Sequence, residues 1–191
     1  GRSWDRPFLF GLPSRRAHAK YRLMIKYFLA ALVVAILAGG IWFYRLPGPD
    51  QLELADRWYP GGGFSGSIKT GVSYGSAETE SDPRQSLDIY RPATAGPHPV
   101  LIFFHGGSWK DGDRPGYAFF GRNLANKGFV TVIADYRKSP AHRFPAFVED
   151  AAKAIAWVHD HAGEYGGDPG KLFLSGHSAG AHIAMLAPLD R

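Results

Sequence analysis

The chain of 191 residues contains no cysteine. Without thiols there are no disulfides and no thiolate metal sites, and the redox compartment stays open, because a cysteine-free chain tolerates either environment. A basic surface is also missing, although a net charge of +5 suggests one. Residues 1–26 hold Arg2, Arg6, Arg15, Arg16, Lys20, Arg22 and Lys26 against Asp5 alone, a local charge of +6, so the remainder sums to −1. The excess belongs to a tail. A folded face carrying a stripe of Lys and Arg, which nucleic-acid binding needs, is not in the pattern, and no nucleic-acid partner is expected. Internal repeats are absent. Against these absences, 45% of residues are hydrophobic and 14% aromatic, enough for one domain with a sizeable core plus an appendage.

The appendage is a basic tail (1–26) followed by one long apolar run, Tyr27 to Tyr44, without a single charge. Its length just suffices to cross a bilayer. Trp42, Phe43 and Tyr44 at one end and Tyr27 at the other are placed as interfacial anchors. Positive charge precedes the run and only Arg45 follows closely, which puts the amino terminus in the cytoplasm and the remainder outside. A cleaved export signal competes with the anchor: Phe28–Ala38 has the length of a signal core, and Ala38-Gly39-Gly40 offers small residues for cleavage before Ile41. A buried core helix is the third reading. Residue 1 is Gly and the first methionine is Met24. Met24-Ile25-Lys26 before an apolar run has the form of a compact export-signal start, so translation is expected to begin there.

Residues 45–71 read as a connector, with Pro47, Gly48 and Pro49, a polar stretch from Gln51 to Trp58, and Pro60-Gly61-Gly62-Gly63. From 72 to 191 the pattern alternates between strand and helix. Strands are expected over 71–74, 86–90, 100–104 and 129–134, helices over 115–127 and 145–161, and a turn at Gly166-Gly167-Asp168-Pro169-Gly170. Such alternation implies a mostly parallel sheet covered by helices on both faces, with a site at the carboxyl ends of its strands.

The most informative stretch follows that turn. Lys171-Leu172-Phe173-Leu174-Ser175 reads as a buried strand, Gly176-His177-Ser178-Ala179-Gly180 as a sharp turn, and Ala181 to Ala187 as a helix. G-x-S-x-G between strand and helix is a nucleophile elbow. The two glycines let strand and helix approach closely around a serine whose backbone is strained. Its hydroxyl is then exposed, with the Ala179 N–H at the helix start available to an oxyanion. The bare pentapeptide is weak evidence. It gains weight from Pro99-Val100-Leu101-Ile102-Phe103-Phe104, a second buried strand, which opens directly into His105-Gly106-Gly107-Ser108-Trp109. A His-Gly-Gly loop there can turn the N–H groups of Gly106, Gly107 and Ser108 toward the serine, and a Cβ on either glycine would crowd a substrate carbonyl.

These motifs resemble the α/β-hydrolases of the esterase/lipase type, and most closely the carboxylesterases with an H-G-G-x-W loop, a group that includes feruloyl-esterase-like and kynurenine-formamidase-like enzymes. The likeness runs from about Val72 to Leu186 and includes Ser86-Leu87-Asp88-Ile89-Tyr90-Arg91-Pro92, Asp135-Tyr136-Arg137 and Phe144-Pro145-Ala146-Phe147. It implies a serine hydrolase of carboxylic esters with Ser178 as nucleophile, a backbone oxyanion hole, a small-molecule ester substrate, and neither metal nor organic cofactor. It also implies a triad acid and histidine well downstream of the serine. After Ser178 the chain offers only His182, on the flank of the elbow helix, and Asp190. His177 is expected to point away from the site, and Asp135 to be structural. The expectation is therefore a fragment covering the amino-terminal part of the fold, inactive by itself. Amide cleavage, by an arylformamidase or peptidase, uses the same machinery, and a non-catalytic binding module shares the fold. Asp111 with Asp113 is read as a solvated pair rather than a cation site. His159 and His161, two apart on a helix, point in different directions and make a poor metal pair, and Gly170-Lys171 lacks the glycine and hydroxyl of a phosphate loop. The residues leave the oligomeric state open.

Overall fold

The computed structural model describes residues 15–58, 63–75 and 82–189. Much of the basic tail, Pro60-Gly61-Gly62 of the expected connector and Asp190 lie outside the described residues. The chain divides into two units, Gly1–Leu46 and Pro47–Arg191.

The first unit is the helix α1 (Arg15–Arg45). Within it Tyr21–Arg45 has a mean hydropathy of 2.2 and none of it is buried, so it is long and apolar enough to cross a membrane. The helix starts well before the apolar run and passes through Gly39 and Gly40 unbroken. A cost of about 1 kcal/mol per glycine does not stop a helix of this length.

The second unit holds α2 (Gly48–Trp58), β1 (Ser67–Ser73), β2 (Ser86–Arg91), β3 (His98–Phe104), α3 (Ala118–Asn126), β4 (Val130–Ala134), α4 (Ala146–His161), β5 (Gly167–Gly176) and α5 (Ala179–Leu186). Its sheet has the order β1-β2-β4-β3-β5. β3 pairs parallel with β4 and with β5, whereas β1 with β2 and β2 with β4 are antiparallel. The sheet is thus mixed rather than mostly parallel. The reason lies in the connections. α3 and α4 carry the chain back before β4 and β5, which keeps strands parallel. The six residues between β2 and β3 contain no helix, so the chain reverses.

Alternation along each strand sorts the core into two layers. Leu87, Ile89, Val100, Ile102, Phe104, Val130, Val132 and Ala134 face α4 and α5 and meet Phe147, Ala151, Val158 and Ile183. Tyr90, Phe103 and Ile133 face the other way and meet Tyr117, Phe120 and Ala125. Each large apolar side chain removed from water in this way contributes about 1.5–3 kcal/mol. On that face Gly121 of α3 lies flat against the Tyr90 ring, where a Cβ would collide with the ring carbons.

Two expectations need correction. The stretch read as a connector contains a full helix, α2, and most of β1. Pro49 is compatible with helix because it stands in the first turn, where a missing N–H costs nothing. Asp50 in that turn and Arg57 in the last one complement the helix dipole. The expected turn 166–170 shrinks to Gly166, in the left-handed region at φ 78°. Residues 167–170 already belong to β5, with a register shift between His98 and Val100 on its partner.

Polar groups fix the layers to one another. Asp150 of α4 is fully buried. It accepts from the Arg137 backbone N–H (2.9 Å), from Arg137 Nη2 (2.7 Å) and from Gln85 Nε2 (2.7 Å). Burial raises the pKa of Tyr74, and the nearby carboxylates of Asp150 and Asp135 add to this. Tyr74 therefore stays a hydroxyl and donates to the Asp135 carbonyl at 2.7 Å.

Candidate active site

The loop after β3 and the turn after β5 lie side by side because their strands are neighbours. Phe104 is in register with Gly176, and the His177 N–H donates to the Phe104 carbonyl at 3.1 Å. Gly180 then packs directly on that same carbonyl and on the carbonyl of His105, leaving no room for a Cβ. Gly176 packs equally tightly on the Gly180 backbone. The need for both glycines is therefore steric.

Ser178 occupies the turn at φ 52° and ψ −117°, a region that side chains rarely adopt and that costs of the order of 1–3 kcal/mol. It is exposed, while Ala179 and Gly180 behind it are buried. The Gly180 N–H is used by the His177 carbonyl (2.8 Å). The Ala179 N–H has no acceptor among the described residues.

The His105–Trp109 loop is similarly strained and held from several sides. Gly107 has φ 129°, and Ser108 and Trp109 follow at 51° and 58°. The His105 ring is fully buried. It stacks on Tyr136 with centroids 4.4 Å apart, its Nδ1 is 2.8 Å from the Gly106 carbonyl, and its Nε2 lies 3.1 Å from Asp135 Oδ1. A trans peptide points its C=O and N–H in opposite directions. With the Gly106 carbonyl engaged by His105, the N–H of the same peptide, that of Gly107, points to the other side. The Gly107 carbonyl accepts from Lys110 and Asp111, and Ser139 donates to the Trp109 carbonyl. Lys138 donates to the Gly112 carbonyl. Asp135 accepts the Arg114 backbone N–H (2.9 Å) in addition to contacting His105, which is a structural role.

A cleft of about 410 Å³ opens over this loop. Gly106, Gly107 and Ser178 all line it, together with Tyr117 and His177, whereas Ser108 and Ala179 do not. His177 was expected to point away from the site. It borders the cleft because its Nδ1 lies 2.9 Å from the Tyr117 hydroxyl. That hydroxyl also accepts the Gly106 N–H at 3.3 Å, so of the three loop donors expected from sequence, those of Gly107 and Ser108 are without an acceptor among the described residues. Tyr117 carries no local sequence signal, because nothing marks a tyrosine sixty residues from its partner.

The remaining candidates are elsewhere. His182 is exposed and packs edge-on against Trp109, with ring centroids 5.5 Å apart. His161 stacks on Trp157 at 4.3 Å. Among the described residues no group of three or more His, Asp or Glu side chains is assembled to hold a metal ion.

The arrangement is that of an α/β-hydrolase of the esterase type. The family model described as BD-FAE matches residues 87–191, more than half of the chain, and the chain belongs to that family. A probable isoprenylcysteine alpha-carbonyl methylesterase of Oryza sativa subsp. japonica is 40% identical over 129 residues, covering 67% of this chain and 30% of that protein. Esterase LipC of Mycobacterium tuberculosis is 43% identical over 112 residues, 56% of this chain and 28% of its own length. The chain thus spans close to a third of the curated relatives it matches. Among solved structures, an esterase of Pyrobaculum calidifontis has a TM-score of 0.62 at 30% identity, covering 74% of this chain and 43% of its own. Esterase B of Lactobacillus rhamnosis in an inhibited form also scores 0.62, at 26% identity, covering 83% of this chain and 48% of its own.

Proposed function

We propose that Ser178 is the nucleophile of a carboxylic ester hydrolase. One observation supports this most: an exposed serine, held at positive φ where β5 turns into α5, borders the same cleft as Gly106 and Gly107. In this reading Ser178 Oγ attacks the ester carbonyl and loses its proton to a base, the alcohol leaves, and water releases the acyl group. The N–H groups of Gly107, Ser108 and Ala179 take the negative charge that develops on the carbonyl oxygen. Gly106, with its N–H given to Tyr117, supports the loop. Neither His105, locked in the loop, nor His182, packed on Trp109, is placed to serve as that base. The activities named for the relatives favour an ester over an amide. We assign α1 as a membrane anchor, with a cleaved export signal as its competitor; either places 47–191 outside the cytoplasm.

The test is labelling with a small fluorophosphonate, which phosphonylates only an activated serine. Protein expressed from its natural coding frame should label at Ser178 and hydrolyse short neutral esters, and Ser178→Ala should do neither. Labelling that persists in Ser178→Ala, or a parent that never labels, would exclude the assignment.

A further inference from the structure

The segment that sequence patterning marks as an inert connector borders the proposed active site. Pro47, Pro49 and Asp50 line the same cleft as Gly107 and Ser178. We infer that the start of α2 is a specificity wall of this cleft, one that admits an uncharged arm of the ester and rejects an anionic one. The inference rests on Ser178 being the nucleophile.

Three observations carry it. First, the wall is packed against the rest of the lining: a Cβ built on Gly116, itself a lining residue, would lie 4.0 Å from both Pro49 Cβ and Asp50 Oδ1. Second, its position is fixed by a clamp. Glu53 Oε2 accepts the Phe119 N–H at the start of α3 (2.8 Å). Arg122 Nη2 reaches Glu53 Oε1 (3.0 Å) and Asp56 Oδ2 (2.6 Å), and Asn123 Nδ2 donates to Asp56 Oδ1 (3.0 Å). Arg122 is only 20% exposed, so these pairs are shielded in part from water and hold α2 better than surface ion pairs would. Third, the lining has one sign of charge. Pro47, Pro49 and Tyr117 are apolar or neutral, His177 contributes an imidazole bonded to Tyr117, and the carboxylates in the lining are Asp50, Asp111 and Asp113. None of the three carboxylates is in an ion pair among the described residues. Among the described residues no Lys or Arg lines the cleft; Lys138, bonded to the Gly112 carbonyl, is not in its lining. A cleft bordered by one sign of charge lowers the local concentration of ligands of the same sign.

The absence of cysteine makes the wall directly addressable. In Asp50→Cys the new thiol is the single cysteine of residues 1–191 and, with any cysteine elsewhere in the coding frame replaced by serine, can be capped with a methylthio group or with a bulky biotin-maleimide. Each adduct is then compared with the uncapped variant for the rate of fluorophosphonate labelling at Ser178. The bulky adduct should slow labelling about tenfold or more and the methylthio adduct much less, by exclusion from the cleft. The same adducts on Asp160→Cys, on the exposed face of α4, should change nothing. Pro49→Cys gives the same reading should Asp50→Cys fold poorly. In a matched pair of nitrophenyl esters, one ending in a methyl and one in a carboxylate, kcat/KM should favour the neutral ester about tenfold. That ratio should narrow in Asp50→Asn/Asp113→Asn. Labelling that proceeds equally with and without the bulky adduct, or equal kcat/KM for the two esters, overturns the wall and leaves the nucleophile standing. A parent protein that never labels overturns both.

Discussion

The hydroxyl of Tyr117 and the ring of His177 meet at 2.9 Å, linking the loop after β3 to the residue before the elbow serine. Because the same hydroxyl accepts the Gly106 N–H, its proton is free to go to His177 Nδ1. Burial raises the Tyr117 pKa, so the phenol keeps that proton at neutral pH. Tyr117→Phe removes both bonds and leaves a buried Gly106 N–H without an acceptor. The expected cost is about 1–3 kcal/mol, read as a lower urea midpoint. If the loop is the oxyanion hole, fluorophosphonate labelling should slow as well. An unchanged midpoint would show that the bridge carries no stability.

The backbone of Ser178 gives a prediction that separates strain from chemistry. At φ 52° and ψ −117° any side chain is disfavoured, and glycine is not. Ser178→Ala and Ser178→Gly should both be inert toward the fluorophosphonate. Ser178→Gly should nevertheless be the more stable of the two by about 1 kcal/mol or more, measured by denaturant unfolding side by side. Equal stabilities would mean that the turn stores no strain.

Asp88 should leave a pH signature. It is almost fully buried on β2, accepts the Gly71 N–H at 2.8 Å, and lies 3.3 Å from Arg114 Nη1. Desolvation nevertheless raises its pKa above the ordinary 3.8. The folded state then binds this proton more readily than the unfolded state. The contribution of Asp88 is fully present below the unfolded value and is lost as pH rises through the folded one. Relative to Asp88→Asn, the parent should therefore gain stability on acidification from pH 7 into the carboxylate range. A difference between the two that does not vary with pH would contradict the raised pKa.

The fate of α1 is decided by where the mature protein begins. An anchor predicts that the protein stays with membranes through alkaline carbonate extraction and keeps residues before Ile41. A cleaved signal predicts a released protein beginning near Ile41.

The core was legible where chemistry is local. Gly176, Ser178 and Gly180 lie within five consecutive residues, and the His105-Gly106-Gly107 loop directly continues its strand, so both motifs are readable without knowing the fold. The two-layer alternation of Val100, Ile102 and Phe104 against Leu101 and Phe103 was hidden, because a strand buried on both faces reads as one continuous apolar run. The reversal between β2 and β3 is signalled only by a connection too short for a crossover helix. α2 was obscured by the prolines and glycines around it, although Pro49 and Asp50 in the first turn and the Glu53–Arg57 pair at 3.2 Å are ordinary helix-start and helix-face signals. The contacts of Tyr117 with His177 and of Glu53 with Arg122 join residues sixty or more positions apart, and no local pattern announces them.

Asp150 bears on how the domain comes apart. Its partners are Gln85, which precedes β2, and Arg137, which follows β4, sixty-five and thirteen residues away. A buried carboxylate is tolerable only with every one of these bonds made. An arrangement that docks α4 but leaves the turn before β2 loose strands a charge in the core. One that docks the turn without Arg137 does the same. Half-assembled forms are therefore penalised together, and the three segments are bound to gain or lose their order as a single cooperative step.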